Sequence, residues 1–155
     1  MKQYKIIASV VMALLSVTLF SCATTAERRI DSMYVMVYDR NNGEVMNVSI
    51  YVDDDEVGKT DIYGRLQFEC SREKEAVVRA VKDGYETVES QTLLKPGSVL
   101  YIKMGSGQYY AQQAEKLLDA KDTEGALKMI DKALTIEDRS DWRYLQDVIL
   151  RTVQK

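Results

Sequence analysis

The sequence predicts an α+β fold, a small antiparallel β-sandwich followed by three C-terminal helices, and three observations predict it. Between Met33 and Met104, apolar and polar residues alternate at period two in short runs separated by turn-forming residues. Beyond Gly107, apolar residues recur instead at the spacing of one face of a helix. Between the two lies Gly105-Ser106-Gly107, which reads as a flexible break where one pattern stops and the other starts.

The chain opens on Lys2 and Lys5, continues with an uncharged apolar run from Ile6 to Phe20, and reaches the small residue Ser21 just before Cys22. A basic start, an apolar middle and a small residue at the break are the parts of a secretory signal peptide. Leu19-Phe20-Ser21-Cys22 resembles the lipobox of bacterial lipoproteins, although Phe20 is bulkier than the residue usual at its place. The resemblance implies a signal peptide over residues 1–21 and cleavage between Ser21 and Cys22. It also implies a diacylglycerol on the Cys22 thiol and acylation of the new amino terminus, so Cys22 is the expected lipid-attachment residue and the lipid bilayer a partner. Each buried methylene contributes about 0.8 kcal/mol and one chain alone holds only marginally, so the two chains of a diacylglyceryl group need no second membrane-binding element. Cleavage after Ala23 is the competing reading, because Ser21 and Ala23 also satisfy the small-x-small pattern and that cut would remove Cys22. An uncleaved anchor is disfavoured, since Ile6 to Phe20 is shorter than the roughly 20 apolar residues of a spanning helix. Residues 22–32 then carry Thr24, Thr25, Glu27, Arg28 and Arg29 without useful periodicity and read as a lipidated tether. The expected location is the cell membrane or outer membrane of a bacterium, facing periplasm or exterior.

The 155 residues include 24 acidic and 21 basic side chains and no histidine. Removal of the signal peptide takes away Lys2 and Lys5 and no acid, so the mature chain is more acidic than the net −3 of the whole. Nucleic acid is therefore not an expected partner, because its binding needs clustered positive charge. A hydrophobic fraction of 46% with a single proline is ordinary globular composition. Lipid on Cys22 leaves Cys70 without a partner in the chain, and it reads as a small apolar residue at a strand end. A nucleophilic Cys70 would need a base, and the usual one, histidine, is missing.

Residues 33–104 carry the sandwich. Met33 to Tyr38 is rich in strand formers, Asn41-Asn42-Gly43 is turn chemistry, and Val48, Ile50 and Val52 alternate with polar neighbours, so two strands joined by a short hairpin are expected. Asp53-Asp54-Asp55-Glu56 turns the chain into Val57-Gly58-Lys59-Thr60, and Asp61-Ile62-Tyr63-Gly64 turns it into Leu66-Gln67-Phe68. Ala76 to Val81 is a further strand, ended by Lys82-Asp83-Gly84-Tyr85. Thr87 to Leu93 and Val99 to Met104 complete the set around Lys95-Pro96-Gly97-Ser98. The acids at 53 to 56 suggest a calcium loop at first sight, but Val57 and Lys59 stand where ligands or glycine belong, and a solvated turn is the expectation.

Tyr51 to Thr60 resembles the repeat core of the PEGA domain. Thr60-Asp61-Ile62-Tyr63-Gly64-Arg65-Leu66-Gln67-Phe68 with Gly84-Tyr85 resembles the carboxypeptidase regulatory-like domain. Both resemblances imply a small transthyretin-like β-sandwich, in which Gly64 takes the positive φ of a turn and the Tyr85 ring folds onto the sheet. The proline-glutamate-glycine-alanine signature of PEGA is absent near Met46 to Ser49.

Residues 108–155 carry the helices. Tyr110, Ala114, Leu117 and Leu118, then Ala126, Leu127, Ile130, Ala133 and Leu134, mark two amphipathic helices joined around Lys121 to Gly125. A third, from about Asp141 to Val153, presents Trp142, Leu145, Val148, Ile149 and Val153. The first two resemble one tetratricopeptide repeat, with Asp138 where that repeat usually has proline. A single repeat cannot bury its apolar face, so this TPR-like segment is expected to lean on its third helix, on the sandwich or on another molecule.

No catalytic constellation appears: histidine, a glycine-rich phosphate loop and a cysteine pair for zinc are all missing. The chain is read as a non-enzyme, with no catalytic, cofactor-binding or metal residue assigned. The expected function is that of a non-catalytic adaptor or scaffold binding an envelope protein partner, with Tyr51, Tyr63 and Tyr109-Tyr110 as candidate contact area. Glycan or cell-wall binding by sandwich aromatics is the alternative.

Overall fold

The computed structural model describes residues 31–153. Seven strands come first: β1 (Ser32–Asp39), β2 (Ser49–Val52), β3 (Asp55–Lys59), β4 (Arg65–Glu69), β5 (Lys74–Val81), β6 (Val88–Leu94) and β7 (Val99–Met104). Three helices follow: α1 (Gly107–Asp119), α2 (Thr123–Ile136) and α3 (Ser140–Val153). The strands form a three-stranded sheet in the order β4-β1-β7 and a four-stranded sheet in the order β3-β2-β5-β6. Their apolar sides enclose one core, built on Met33, Val35 and Val37 of one sheet and Ile50, Val52, Val78 and Leu94 of the other. Each such side chain contributes about 1.5–3 kcal/mol by leaving water. The alternation read in the sequence is what aims them inward.

The expected hairpin between the first two strands is corrected. Asn41-Asn42-Gly43 does fold the chain back: the Asp39 carboxylate accepts hydrogen bonds from the Asn41 and Gly43 amides at 2.7 and 2.8 Å. The pairing runs only as far as the Val45 amide on the Val37 carbonyl, at 3.0 Å. The buried Thr60 hydroxyl then donates to the Val45 carbonyl at 2.7 Å and accepts from the Val48 amide at 3.0 Å, which sends β2 into the opposite sheet. The ladder positions β1 leaves open are taken by β4, antiparallel, and by β7, parallel. The β1–β7 pair is thus a parallel element in an otherwise antiparallel sandwich, and the intervening strands serve as its crossover. Likewise β6 and β7 do not pair across Lys95 to Ser98; that turn carries the chain from one sheet to the other.

Two turns obey the local chemistry closely. Asp53 and Asp54, at φ 51° and 72°, make the left-handed pair that joins β2 to β3 with the twist of the strands. Gly64, at φ 68°, accepts from the Val37 amide at 2.8 Å, and a Cβ there would stand 2.5 Å from the Val37 carbonyl oxygen. Only glycine fits that approach.

The helices enclose a second core of Tyr110, Ala111, Ala114, Ala126, Ile130, Ala133, Trp142 and Ile149. The alanines let α1 and α2 approach closely, and Asp122 caps α2 by accepting from the Gly125 amide at 2.9 Å.

The flexible break expected at residues 105–107 is also corrected. Ser106 caps α1 by accepting from the Tyr109 amide at 3.1 Å, and Gly107 is the first residue of that helix. The Gly107 amide donates to the Gly84 carbonyl at 3.0 Å, and the Glu86 amide to the Gly105 carbonyl at 2.8 Å. A Cβ on Gly107 would lie 2.7 Å from the Trp142 ring, and one on Gly105 would collide with the Tyr110 ring. These glycines supply room for aromatic rings. Glycine is identical in sequence whether it serves mobility or close packing, and only the tertiary neighbours distinguish them.

Candidate functional site

Residues that do not point inward on the three-stranded sheet make a tyrosine-rich outer face. On β1 these are Tyr34, Met36 and Tyr38; β7 adds Val99, Tyr101 and Lys103, and β4 adds Arg65 and Gln67. The register sets Tyr34 between Gln67 and Val99, and Met36 between Arg65 and Tyr101. Tyr101 is 65% exposed and Tyr34 42%. Tyr38 and Tyr101, diagonal neighbours, hold their rings 6.4 Å apart at 21°. The rim is polar: the Tyr34 hydroxyl donates to Gln67 Oε1 at 3.1 Å, and Lys103 Nζ to Asn42 Oδ1 at 2.8 Å. Below it the Arg65 guanidinium lies 4.7 Å from the exposed Tyr63 ring and pairs with Asp61.

A second constellation sits where sandwich and helices meet. Glu86, 13% exposed, accepts from Arg40 Nη2 at 3.0 Å, from Lys132 Nζ at 2.6 Å and from the Gly105 amide at 2.7 Å. One carboxylate thus ties the turn after β1, the joint and α2. Burial works against its ionisation, but the hydrogen bonds from Lys132, Tyr110, Arg40 and the Gly105 amide outweigh it and hold the carboxyl at about 2. Arg40 is raised by its hydrogen bond to Glu86. Lys132 is raised too: burial lowers it, but Glu86 and Tyr110 more than compensate, and its ammonium lies 4.2 Å from the Tyr110 ring. Beside the clasp opens a hollow of about 360 Å³, walled by Tyr109, Leu117 and Met129 and edged by Gln113, Arg40 and Lys132.

Cys22, the expected lipid-attachment residue, lies outside the described residues, as do the expected signal peptide and the expected tether before Asp31. Cys70 is buried, and its thiol donates to the Arg72 carbonyl at 3.5 Å. Of the acids at 53 to 56, Asp53 and Asp54 are engaged by cations: Asp53 accepts from Lys74 Nζ at 2.9 Å and the Val77 amide at 3.0 Å, and Asp54 pairs with Arg79 at 3.1 Å. Lys74 and the Val77 amide hold the Asp53 carboxyl below its usual range. Among the described residues no cluster of three or more histidine, cysteine or acidic side chains is arranged to hold a metal ion. Nor is any described helix long and apolar enough to cross a membrane.

Of the tyrosines singled out from sequence, Tyr63 is exposed, Tyr51 lies under the Arg79 guanidinium at 4.5 Å, and Tyr110 is buried in the helical core. The outer face is made instead by Tyr34, Tyr38 and Tyr101, whose alternation with Val35, Val37 and Ile102 was the available signal. Arg40, Glu86 and Lys132 carry no sequence signal at all, being brought together from separations of 46 residues on each side.

No protein family's description matches the chain, and no curated protein does. Solved structures are similar over about half of it. One is the Bacillus anthracis TIE protein, at 16% identity and TM-score 0.42 over 50% of this chain and 17% of that one. A second is 3-chlorocatechol 1,2-dioxygenase from Rhodococcus opacus, at 12% identity and TM-score 0.35 over 48% of this chain and 58% of that one. A third is the major pilin subunit of Bacillus cereus, at 13% identity and TM-score 0.37 over 48% of this chain and 28% of that one. The chain therefore spans less than two thirds of the length of each.

Proposed function

We propose that the protein is a lipid-anchored, non-catalytic lipoprotein of the bacterial cell envelope that holds a protein partner against the outer face of its three-stranded sheet. The surface of exposed Tyr34, Val99 and Tyr101 with half-buried Met36 and Tyr38 carries this reading. Tyrosine, methionine and arginine are the residues enriched where proteins meet, and Arg65, Gln67 and Lys103 supply the polar rim of such a surface. Tyrosine also offers rigid amphipathic area with little entropy to lose on binding. The resemblances to PEGA, carboxypeptidase regulatory-like and tetratricopeptide modules support the same reading, since modules of these kinds hold partners or space domains. The lipobox-like Leu19 to Cys22 supports anchorage, and the tether it starts leads into Ser32, the first residue of the central strand of that sheet.

Glycan binding is the second reading, favoured by the nearly parallel Tyr38 and Tyr101 rings, whose apolar faces suit a sugar, with Lys103, paired to Tyr38 in the register, for its hydroxyls. Cross-linking the anchored protein in its native cells, with mass spectrometry of what is attached, separates the two. One protein recovered reproducibly, and lost with Tyr34→Ala/Tyr101→Ala, supports the adaptor. Glycan or wall fragments lost with the same change support the alternative. Recovery unaffected by the double variant removes this face as the working surface. Intact mass of detergent-extracted protein tests the anchor: a diacylglyceryl Cys22 terminus is expected, and a chain starting at Thr24 overturns it.

A further inference from the structure

The clasp holds two cations on one carboxylate. Glu86 can neutralise one positive charge, so Arg40 and Lys132 together leave about one in excess. The Glu86 side chain is 13% exposed while those of Arg40 and Lys132 are 41% and 42%, so the carboxylate lies behind the cations and the cations edge the hollow. Arg40 reaches Glu86 through Nη2 and hydrogen-bonds Tyr110 as well, and among the described residues Glu86 is the carboxylate it pairs with. The same hollow is lined by Leu117, Met129, the Tyr109 ring set edge-on to Tyr110, and Gln113. The larger hollow of about 1220 Å³ on the other flank of Lys132 lacks this character: it is edged by Asp83, Asp131 and Glu137, and its Lys82 is bound to the Met46 carbonyl at 2.6 Å.

We propose that the hollow at the seam binds an acidic segment of the protein partner, a carboxylate against Arg40 and Lys132 with its apolar neighbour along Tyr109, Leu117 and Met129. A guanidinium carries five N–H donors, more than Glu86 and Tyr110 take from Arg40; arginine and a carboxylate form charge-assisted hydrogen bonds, and Gln113 can donate to or accept from the peptide group beside the carboxylate. A bare phosphate would satisfy the charges but make no use of the apolar wall. The source of the segment rests on the adaptor reading; the chemistry of the hollow does not.

The test is nitrogen-15 NMR of the mature chain titrated at millimolar concentration with three probes: N-acetyl-leucyl-glutamate amide, its leucyl-glutamine counterpart and inorganic phosphate. The expected result is movement of the Arg40 Nε–H and Gln113 side-chain amide signals with the glutamate probe, little with the neutral probe, and weaker binding of phosphate. Arg40→Gln should weaken the glutamate probe about tenfold, the effect of losing one charged contact. Gln113→Ala, which leaves the clasp untouched, should weaken it a few-fold, so a loosened seam in the first variant does not decide the matter. No response, an equal response to the neutral probe, or phosphate binding as tightly as the glutamate probe overturns the proposal. Partner capture in cells that survives Arg40→Gln would leave the adaptor standing without this site. Probe binding with no protein captured in cells would overturn the adaptor and, with it, the assignment of the segment to a partner.

Discussion

The sandwich draws its core from two sheets facing each other, each strand held in register by backbone hydrogen bonds. The helical segment stacks in a row, α1 on α2 and α2 on α3, and its buried core is half alanine and half large side chains. The first arrangement is tied by ladders along every strand, whereas the second is tied to the joint by particular side chains: Trp142 of α3 over Gly107, and Lys132 of α2 on Glu86 with Arg40. Stability spread over many ladders tolerates the loss of one contact better than a segment tied by a few side chains does.

Trp142→Ala should have the largest effect. It empties a buried aromatic site that both α3 and the joint rely on, at a cost of about 3–5 kcal/mol. The helical signal in circular dichroism should melt well before the sheet signal; simultaneous melting would show that the two regions are one cooperative unit. Glu86→Gln comes next. Its folded carboxyl at about 2 lies below the ordinary 4.5, so the unfolded chain binds more protons between those values and stability falls as pH falls through that window. The shift corresponds to about 3 kcal/mol at neutral pH. Melting temperatures measured from pH 7 to acid should show a drop in this window that is smaller in Glu86→Gln; an unchanged drop would mean other carboxylates carry it.

Gly64→Ala attacks the sandwich. Strain at φ 68° and the Val37 carbonyl should together cost about 1–3 kcal/mol, lowering the melting temperature of the whole protein without selective loss of helix. Tyr101→Ala, at an exposed strand position, should change stability by no more than about 0.5 kcal/mol in chemical denaturation. A larger loss would make Tyr101 a support of the sheet and weaken its assignment to the contact face.

What the sequence alone determined follows from local rules. Period two and period 3.6 decide which side of each element is apolar, so Val35, Val37, Ile50, Val78, Ala114, Ile130 and Trp142 were legible as core from spacing alone. Turn chemistry does the same for Asp53-Asp54 and Gly64, whose conformations depend on their own backbones and near neighbours. The lipobox-like pattern ending at Cys22 is a linear motif too, and the lipidation expected from it falls outside the described residues. Tertiary structure alone decided the partner of β1, because several apolar strands of similar length could have satisfied its edges, and the Thr60 hydroxyl sends β2 away from it. It also made Gly105 and Gly107 packing residues, and it assembled Arg40, Glu86 and Lys132 into the charged seam. Those three side chains come from segments far apart in the chain, and a charge shows its partner only once the fold has brought the two within a hydrogen bond's length.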